Sequence, residues 1–294
     1  MTSQPDSRLR LSISVASLAL GLMLAPAPSL AQQAGPPDEA GQATGGKPLW
    51  EAGIVAGGAR VVDYPGADQS HPRGLVAPFV IYRGPILRVD QRGVRGRLLD
   101  TPDWELNLSA TAAFNVRNND AREGMPALDY LFGVGPQLIY KGLRGSFGDP
   151  TLYLKTRATF STNFHQVHSR GLSVDPEVRW RMHPFAESPT LFTLTLQPTW
   201  TSRALQGYFY DVEASQATPT RPTYRARAGY LGTEASFTLT GRSGSRLSWF
   251  ASVRAMSLHG AANTASPLLR DRSNVSVGAG VLWTLWQNEA RAGD

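Results

Sequence analysis

The chain has 294 residues, a formal charge of +6, 41% hydrophobic side chains and no cysteine. Lack of cysteine excludes disulfide staples, thiol catalysis and thiolate metal sites. The surplus of arginine is spread through alternating segments rather than gathered on one helix, which argues against a nucleic-acid binder.

Arg8 and Arg10 precede an apolar run from Leu11 to Leu24, followed by Pro26, Pro28 and the small-residue pattern Ser29-Leu30-Ala31. This order predicts a secretory signal peptide over residues 1–31, cut after Ala31. Residues 32–48, rich in Gly, Ala, Pro and Gln without an apolar period, are expected to form a flexible periplasmic lead-in. From residue 49 to 286, strand patterns and turns alternate with no linker long enough to divide a second domain, and residues 287–294 form a tail.

The clearest segment runs from Trp104 to Arg117. Trp104, Leu106, Leu108, Ala110, Ala112, Phe114 and Val116 fall on one face, and Glu105, Asn107, Ser109, Thr111, Ala113, Asn115 and Arg117 on the other. A period of two means a strand with one apolar and one polar side. Similar alternation covers Leu152–Phe160, Leu172–Met182, Phe192–Trp200, Leu247–Ala255 (with Phe250 out of step) and Val275–Leu285. Between Tyr224 and Leu239 the apolar parity switches from even to odd, which a β-bulge near Gly232 reconciles.

Short spacers near Arg83, Thr101, Leu143–Asp149, Pro184–Ser188 and Gly241–Ser245 alternate with longer polar ones at Asp63–Arg73, Asn118–Leu128, Arg203–Thr223 and His259–Ser273. With a short hairpin at Ile86–Val89, about 12 strands result, or about 10 if the poorly periodic Gly74–Leu99 is discounted. The expected fold is all-β: a transmembrane antiparallel barrel of the outer-membrane type, with short periplasmic turns and longer outer loops. A soluble sandwich would also alternate. Aromatics at strand ends (Trp50, Trp104, Tyr130, Tyr140, Trp180, Trp200, Tyr224, Trp283) favour the girdles that meet lipid headgroups.

The polar faces carry Glu51, Glu105, Asp175 and Glu177 against Arg95, Arg97, Arg117, Lys155, Arg157, Arg179, Arg181, Arg225, Arg227, Arg246 and Arg254. Assigned to the lumen, these charges would form ion-pair networks that plug a narrow barrel; an open pore lined by them would prefer anions. Pro65-Gly66 reads as a turn with Gly at positive φ, and Arg122 is expected to pair with Glu123 to shape its loop. His165 and His168 in a polar loop and His183 in a turn lack metal-ligand partners, and no matched Ser, His and carboxylate lie on adjacent strands. No helix pattern is evident, so no phosphate loop opens one. No catalytic residue, cofactor or metal is expected.

Several segments carry a family resemblance. They are Asp63-Tyr64-Pro65-Gly66-Ala67-Asp68, Phe79–Gly84, Gly93–Leu98, Asp120-Ala121-Arg122-Glu123-Gly124-Met125-Pro126-Ala127-Leu128-Asp129, Ser266-Pro267-Leu268 and Ser273–Ser276. Across Trp50–Trp286 the chain resembles the MipA/OmpV family, MltA-interacting protein and its relatives. The resemblance implies an outer-membrane barrel. It also implies, for the name-giving member, a scaffold linking a lytic transglycosylase to a peptidoglycan synthase; other relatives look like surface proteins of osmotic response, adhesion or drug susceptibility. Outer-membrane chains commonly finish on an aromatic, whereas Gln287–Asp294 trails past Trp286. The expected function is thus a non-enzymatic envelope scaffold in contact with outer-membrane lipid and lipopolysaccharide. The alternative is a narrow channel for small anionic solutes.

Overall fold

The computed structural model describes residues 48, 50–83, 87–90, 93–96, 99–145, 148–183 and 190–288, for those between 81 and 100 the backbone alone. The expected signal peptide, all of the lead-in but Pro48, and the tail beyond Asn288 lie outside the described residues. Arg95, Arg97 and the turn at Pro184–Ser188 do so as well, the first for its side chain only.

Alternating residues bury one face and expose the other, so each such segment becomes a strand in one antiparallel sheet. Ten strands are long: β1 (Trp50–Val62), β2 (Ser70–Arg83), β6 (Trp104–Ala113), β7 (Tyr130–Tyr140), β8 (Thr151–Thr162), β9 (Val167–Met182), β10 (Leu191–Thr201), β11 (Gly229–Ser243), β12 (Leu247–Ser257) and β13 (Ser273–Gln287). Three are short: β3 (Leu87–Asp90), β4 (Gly93–Gly96) and β5 (Leu99–Asp100). Their order is β4-β3-β2-β1-β13-β12-β11-β10-β9-β8-β7-β6-β5. First and last long strands pair with each other, Val55 opposite Leu282. The two ends of the order, β4 and β5, are consecutive in the chain, and β4 lies against β6. The ends of the sheet therefore come together, and among the described residues it has thirteen strands, ten of them long.

Burial settles what touches the apolar stripes. Outward residues such as Val76 (75% exposed), Leu154 (46%) and Val275 (58%) are apolar. Their neighbours in sequence turn inward and are polar and buried: Asn107, Ser109, Lys155, Asp175, Thr195, Ser236 and Thr238. A soluble sandwich buries its apolar face; this sheet does the reverse, as lipid requires. No helix among the described residues is long and apolar enough to cross a membrane, and the crossing is made by strands. Paired rings mark both ends of the wall, Trp104 with Tyr140 at 4.6 Å and Trp200 with Tyr230 at 5.5 Å.

The parity switch is a bulge: Thr199 pairs with Gly232 but Trp200 with Tyr230, leaving Leu231 extra. Other expectations need correction. β6 stops at Ala113 instead of Arg117, because Val116 turns inward to bridge Leu128 across the following loop. Tyr224, Ala226 and Ala228 precede β11 and belong to a loop, where Tyr224 bridges Val212. Among the described residues there is one α-helix, α1 (Arg203–Tyr210), directly after Ser202. Its two turns are too short to show a period, and its stability comes from burying Leu205, Phe209 and Tyr210.

Val253 lies outward, midway along β12. Its replacement by Arg should cost about 2–4 kcal/mol in urea unfolding from lipid vesicles, whereas inward Ser236→Ala should stay below about 1 kcal/mol. Equal costs at the two sites would mean the apolar face does not meet lipid.

Candidate functional site

Inside the barrel, charges gather on β8 and β9. Lys155 stands opposite Asp175 and Tyr153 opposite Glu177, so the ion pairs form along diagonals. Lys155 bonds Glu177 and donates to Gln197 Oε1 at 2.9 Å. Arg179 meets Glu177 at 2.5 Å and stacks 4.5 Å from the Tyr153 ring centre. Arg157 reaches Asp175 at 2.9 Å, which also accepts from Ser173 and Thr199. The network carries Lys155, Arg157 and Arg179 against Asp175 and Glu177, so it stays cationic. Charges this buried persist because each finds a partner. Around the ring, Arg254 pairs with Glu234 at 3.2 Å, Lys141 with Glu105 at 2.5 Å, and Glu51 accepts from Thr284. Arg181 lies on the same inner face, 3.3 Å from the Tyr153 hydroxyl.

Four residues assigned to the lumen are elsewhere. Arg117, Arg225 and Arg227 are exposed in rim loops, because β6 ends early and β11 begins late. Arg246 sits in the three-residue turn before β12.

The largest apolar core lies at one rim, within the long loops. Residues 63–69, 114–129, 202–228 and 258–272 leave the same end of the barrel, and their Tyr64, Val116, Ala121, Leu128, Leu205, Phe209, Tyr210, Val212, Leu258 and Leu268 pack into one cluster. The β1–β2, β6–β7 and β10–β11 loops spring from points about a third of the ring apart. All three nevertheless touch one another. Asn119 donates to Asp63 at 2.9 Å, Arg122 to the Phe209 carbonyl at 3.0 Å, and the Tyr210 hydroxyl to the Pro65 carbonyl at 2.8 Å. Loops so placed can meet only over the mouth. They form a cap.

Motif residues hold this cap together. Asp63 accepts from His71 at 2.7 Å as well as from Asn119. The Tyr64 hydroxyl donates to the Leu268 carbonyl at 2.9 Å, and burial pushes its pKa up to about 12. Gly66 has φ +83°, and a Cβ there would come 2.7 Å from Leu269; its N–H donates to Asn274 Oδ1 at 2.7 Å. Asp68 pairs with Arg270 at 3.4 Å. Met125 packs on the cluster and Gly124 turns at φ +73°. Contrary to expectation, Arg122 does not pair with Glu123. It donates to the carbonyls of Phe209 and Pro126 and faces the Tyr64 ring, and burial lowers its pKa.

Some cap residues carried no sequence signal. Arg221, 8% exposed, donates to the carbonyls of Ala121 (3.0 Å), Glu123 (2.8 Å) and Gln216 (2.8 Å). The Tyr208 hydroxyl accepts from the Asp129 N–H at 2.7 Å and donates to the Asp129 carbonyl at 3.4 Å. Asn263 ties α1 to the last loop through Gln206 at 3.0 Å. Ser266, inside a segment the resemblance singles out, donates to the Tyr210 carbonyl at 3.0 Å. His168 is an exposed residue of β9 rather than of a loop; His165 lies in the turn before it, and His183 is exposed after its end. Among the described residues no three His, Asp or Glu side chains are placed to hold a metal ion.

A closed sheet, apolar outside and polar within, with its long loops folded over one mouth, defines an outer-membrane β-barrel. The chain belongs to the family described as MltA-interacting protein MipA, which it matches over residues 54–285. Among solved structures it is similar to the NanC porin, at 11% identity and a TM-score of 0.39, covering 79% of this chain and 100% of that one. It is also similar to the COG4313 outer membrane channel from Pseudomonas putida F1, at 11% identity and a TM-score of 0.37, covering 83% and 99%. No curated protein matches the chain.

Arg221→Ala strands three carbonyls and should destabilise the cap by about 1–3 kcal/mol. The readout is faster thermolysin nicking between β10 and β11 while the barrel stays folded. Tyr64 supplies a pH dependence. Its phenol ionises near 10 when unfolded and near 12 in the cap, so in that window the unfolded loop holds fewer protons. Cap stability from Tyr64 is therefore complete below pH 10 and is lost as pH rises toward 12. Phenolate absorbance should show a late step that Tyr64→Phe diminishes.

Proposed function

We propose that this protein is a closed, non-enzymatic outer-membrane barrel that serves as an interaction scaffold of the cell envelope. In this reading residues 1–31 are removed on export. The short-turn rim and residues 32–48 face the periplasm, and the capped rim faces lipopolysaccharide outside. The partners are a lytic transglycosylase, in keeping with the family's description, and a peptidoglycan synthase.

One observation carries this reading. The β1–β2, β6–β7 and β10–β11 loops share a buried core across the mouth, and the ion pairs of Lys155, Arg157, Asp175, Glu177 and Arg179 occupy the lumen beneath. A channel is best served by a mouth without a hydrophobic core of its own. Opening this one would expose Tyr64, Tyr210, Leu258 and Leu268, each at most 3% exposed. The short-turn rim bears exposed charges such as Arg144 and Asp149 and is free to meet a partner.

Planar-bilayer recording of the purified barrel should show no reproducible open steps at neutral pH. Envelope crosslinking should recover a lytic transglycosylase with it. Regular steps with anion preference, matching the cationic surplus on β8 and β9, would replace the scaffold with a narrow anion channel.

A further inference from the structure

Although the ends of the sheet come together, the ladder among the described residues is incomplete between β2 and β6. β3 pairs with β2 only at Tyr82 and Arg83, and with β4 from Leu87 to Asp90. Above that level β2 continues from Pro78 to Ser70, pairing with β1 on one edge and with no strand among the described residues on the other. Pro72 and Pro78, six residues apart, turn their nitrogens to the same edge. Proline persists in a sheet only where its nitrogen meets no ladder partner, so both mark this edge as open. Val76 opposite Ala56, and Gly74 opposite Gly58, place it at the height of the outward Ala279 and Val281 on β13, within the apolar belt.

Side chains lace the gap instead. From β2 and its loop, Arg73 donates to the Asn115 carbonyl at 2.9 Å and lies over the Phe114 ring. Gln69 exchanges two hydrogen bonds with Asp120, at 2.7 and 2.9 Å. Such a seam opens by rotamer changes, without breaking a ladder.

Behind the seam the lumen changes character. On the inner face of β2, Arg73 is followed downward by Leu75, Ala77 and Phe79, and these pack with Val55, Leu282 and Phe250 from β1, β13 and β12. Opposite walls carry the charged network and the hydroxyls of Thr195, Ser236 and Thr238. No carboxylate among the described residues pairs with Arg73. A cation thus heads an apolar stripe roughly 13 Å long from Leu75 to Phe79, at 3.3 Å per residue, beside the β2 edge that meets no strand among the described residues.

We propose that the seam between β2 and the segment after β6 is a lateral entry for a single-chain anionic amphiphile from the bilayer. Its alkyl chain lies on Leu75, Phe79, Val55, Leu282 and Phe250, and its acidic head meets Arg73. This binding activity is additional to the scaffold role and does not depend on it. The mouth stays capped throughout.

The probe is palmitate bearing a diazirine on its chain, mixed into phosphatidylcholine vesicles that hold the folded barrel. After irradiation, adducts should map to inward Leu75, Phe79, Phe250 or Leu282. Arg73→Gln should lower their yield about tenfold, the factor that 1.4 kcal/mol represents. Because the chain has no cysteine, Gln69→Cys with Asp120→Cys can be stapled across the seam by a short bismaleimide, and stapling should abolish the inward adducts. Heat-modifiable gel mobility verifies that each variant is folded. Adducts confined to outward Val76 and Val80, inward adducts that survive stapling, or capture indifferent to Arg73→Gln would each overturn the proposal.

Discussion

A peptide group in hydrocarbon has no solvent to bond, so a chain that crosses as strands must return its sheet to its own first strand. Everything else in this molecule follows from that closure. The pairing of β1 with β13 joins segments more than two hundred residues apart, Val55 with Leu282 and Arg60 with Val277. Once the sheet is a ring, each strand has one side for lipid and one for the lumen. The apolar side must then lie outward, so the polar residues between are forced inward and have to satisfy one another. The diagonal pairs of Lys155 with Glu177 and Arg157 with Asp175 are the result. Two buried cations on β8 are tolerable because β9 presents two carboxylates in register one step away.

Closure also decides where a hydrophobic core can form. The lumen is polar and the wall faces lipid, so the apolar residues of the loops have only each other. Tyr64, Phe209, Tyr210 and Leu268 come from three loops and share one cluster over the mouth. The cap is in effect a small globular core supported on the barrel rim. Its polar groups obey the rules of any buried core: Arg221 satisfies carbonyls of two separate loops, and Asn274 binds the backbone of the Ala67 turn from the start of β13.

The wall was legible in the sequence because its signal is local. Leu152 to Phe160 alternates whatever its neighbours do, and a shift in parity pointed to a bulge near Gly232, which the pairing puts at Leu231. The cap was not legible, because its residues are defined by who meets whom. Arg225 and Arg227 alternate with Tyr224, Ala226 and Ala228 as a strand would, yet the Ala226 N–H bonds Asp211 and Arg227 N–H bonds Asn263 in a loop. Helix α1 is two turns long and takes its stability from contacts, not propensity. The motif residues Asp63, Gly66 and Arg122 could be singled out, but their partners His71, Asn274 and Phe209 are fixed only by the fold.

Phe250 joins these two kinds of information. It breaks the alternation of β12, an apolar ring at a position that should be polar. The structure places it inward, where a Cβ on Gly280 would come 2.7 Å from its ring. A residue that fails the local rule is explained by a neighbour three strands away: Phe79 on β2 faces the same lumen and belongs to the same cluster. Natural chains break local consistency where something else is gained. Here four adjacent strands, β12, β13, β1 and β2, each contribute an apolar residue to a lumen that closure would otherwise fill with polar ones. The patch includes the inner face of β2, the strand whose far edge carries Pro72 and Pro78 and meets no strand among the described residues.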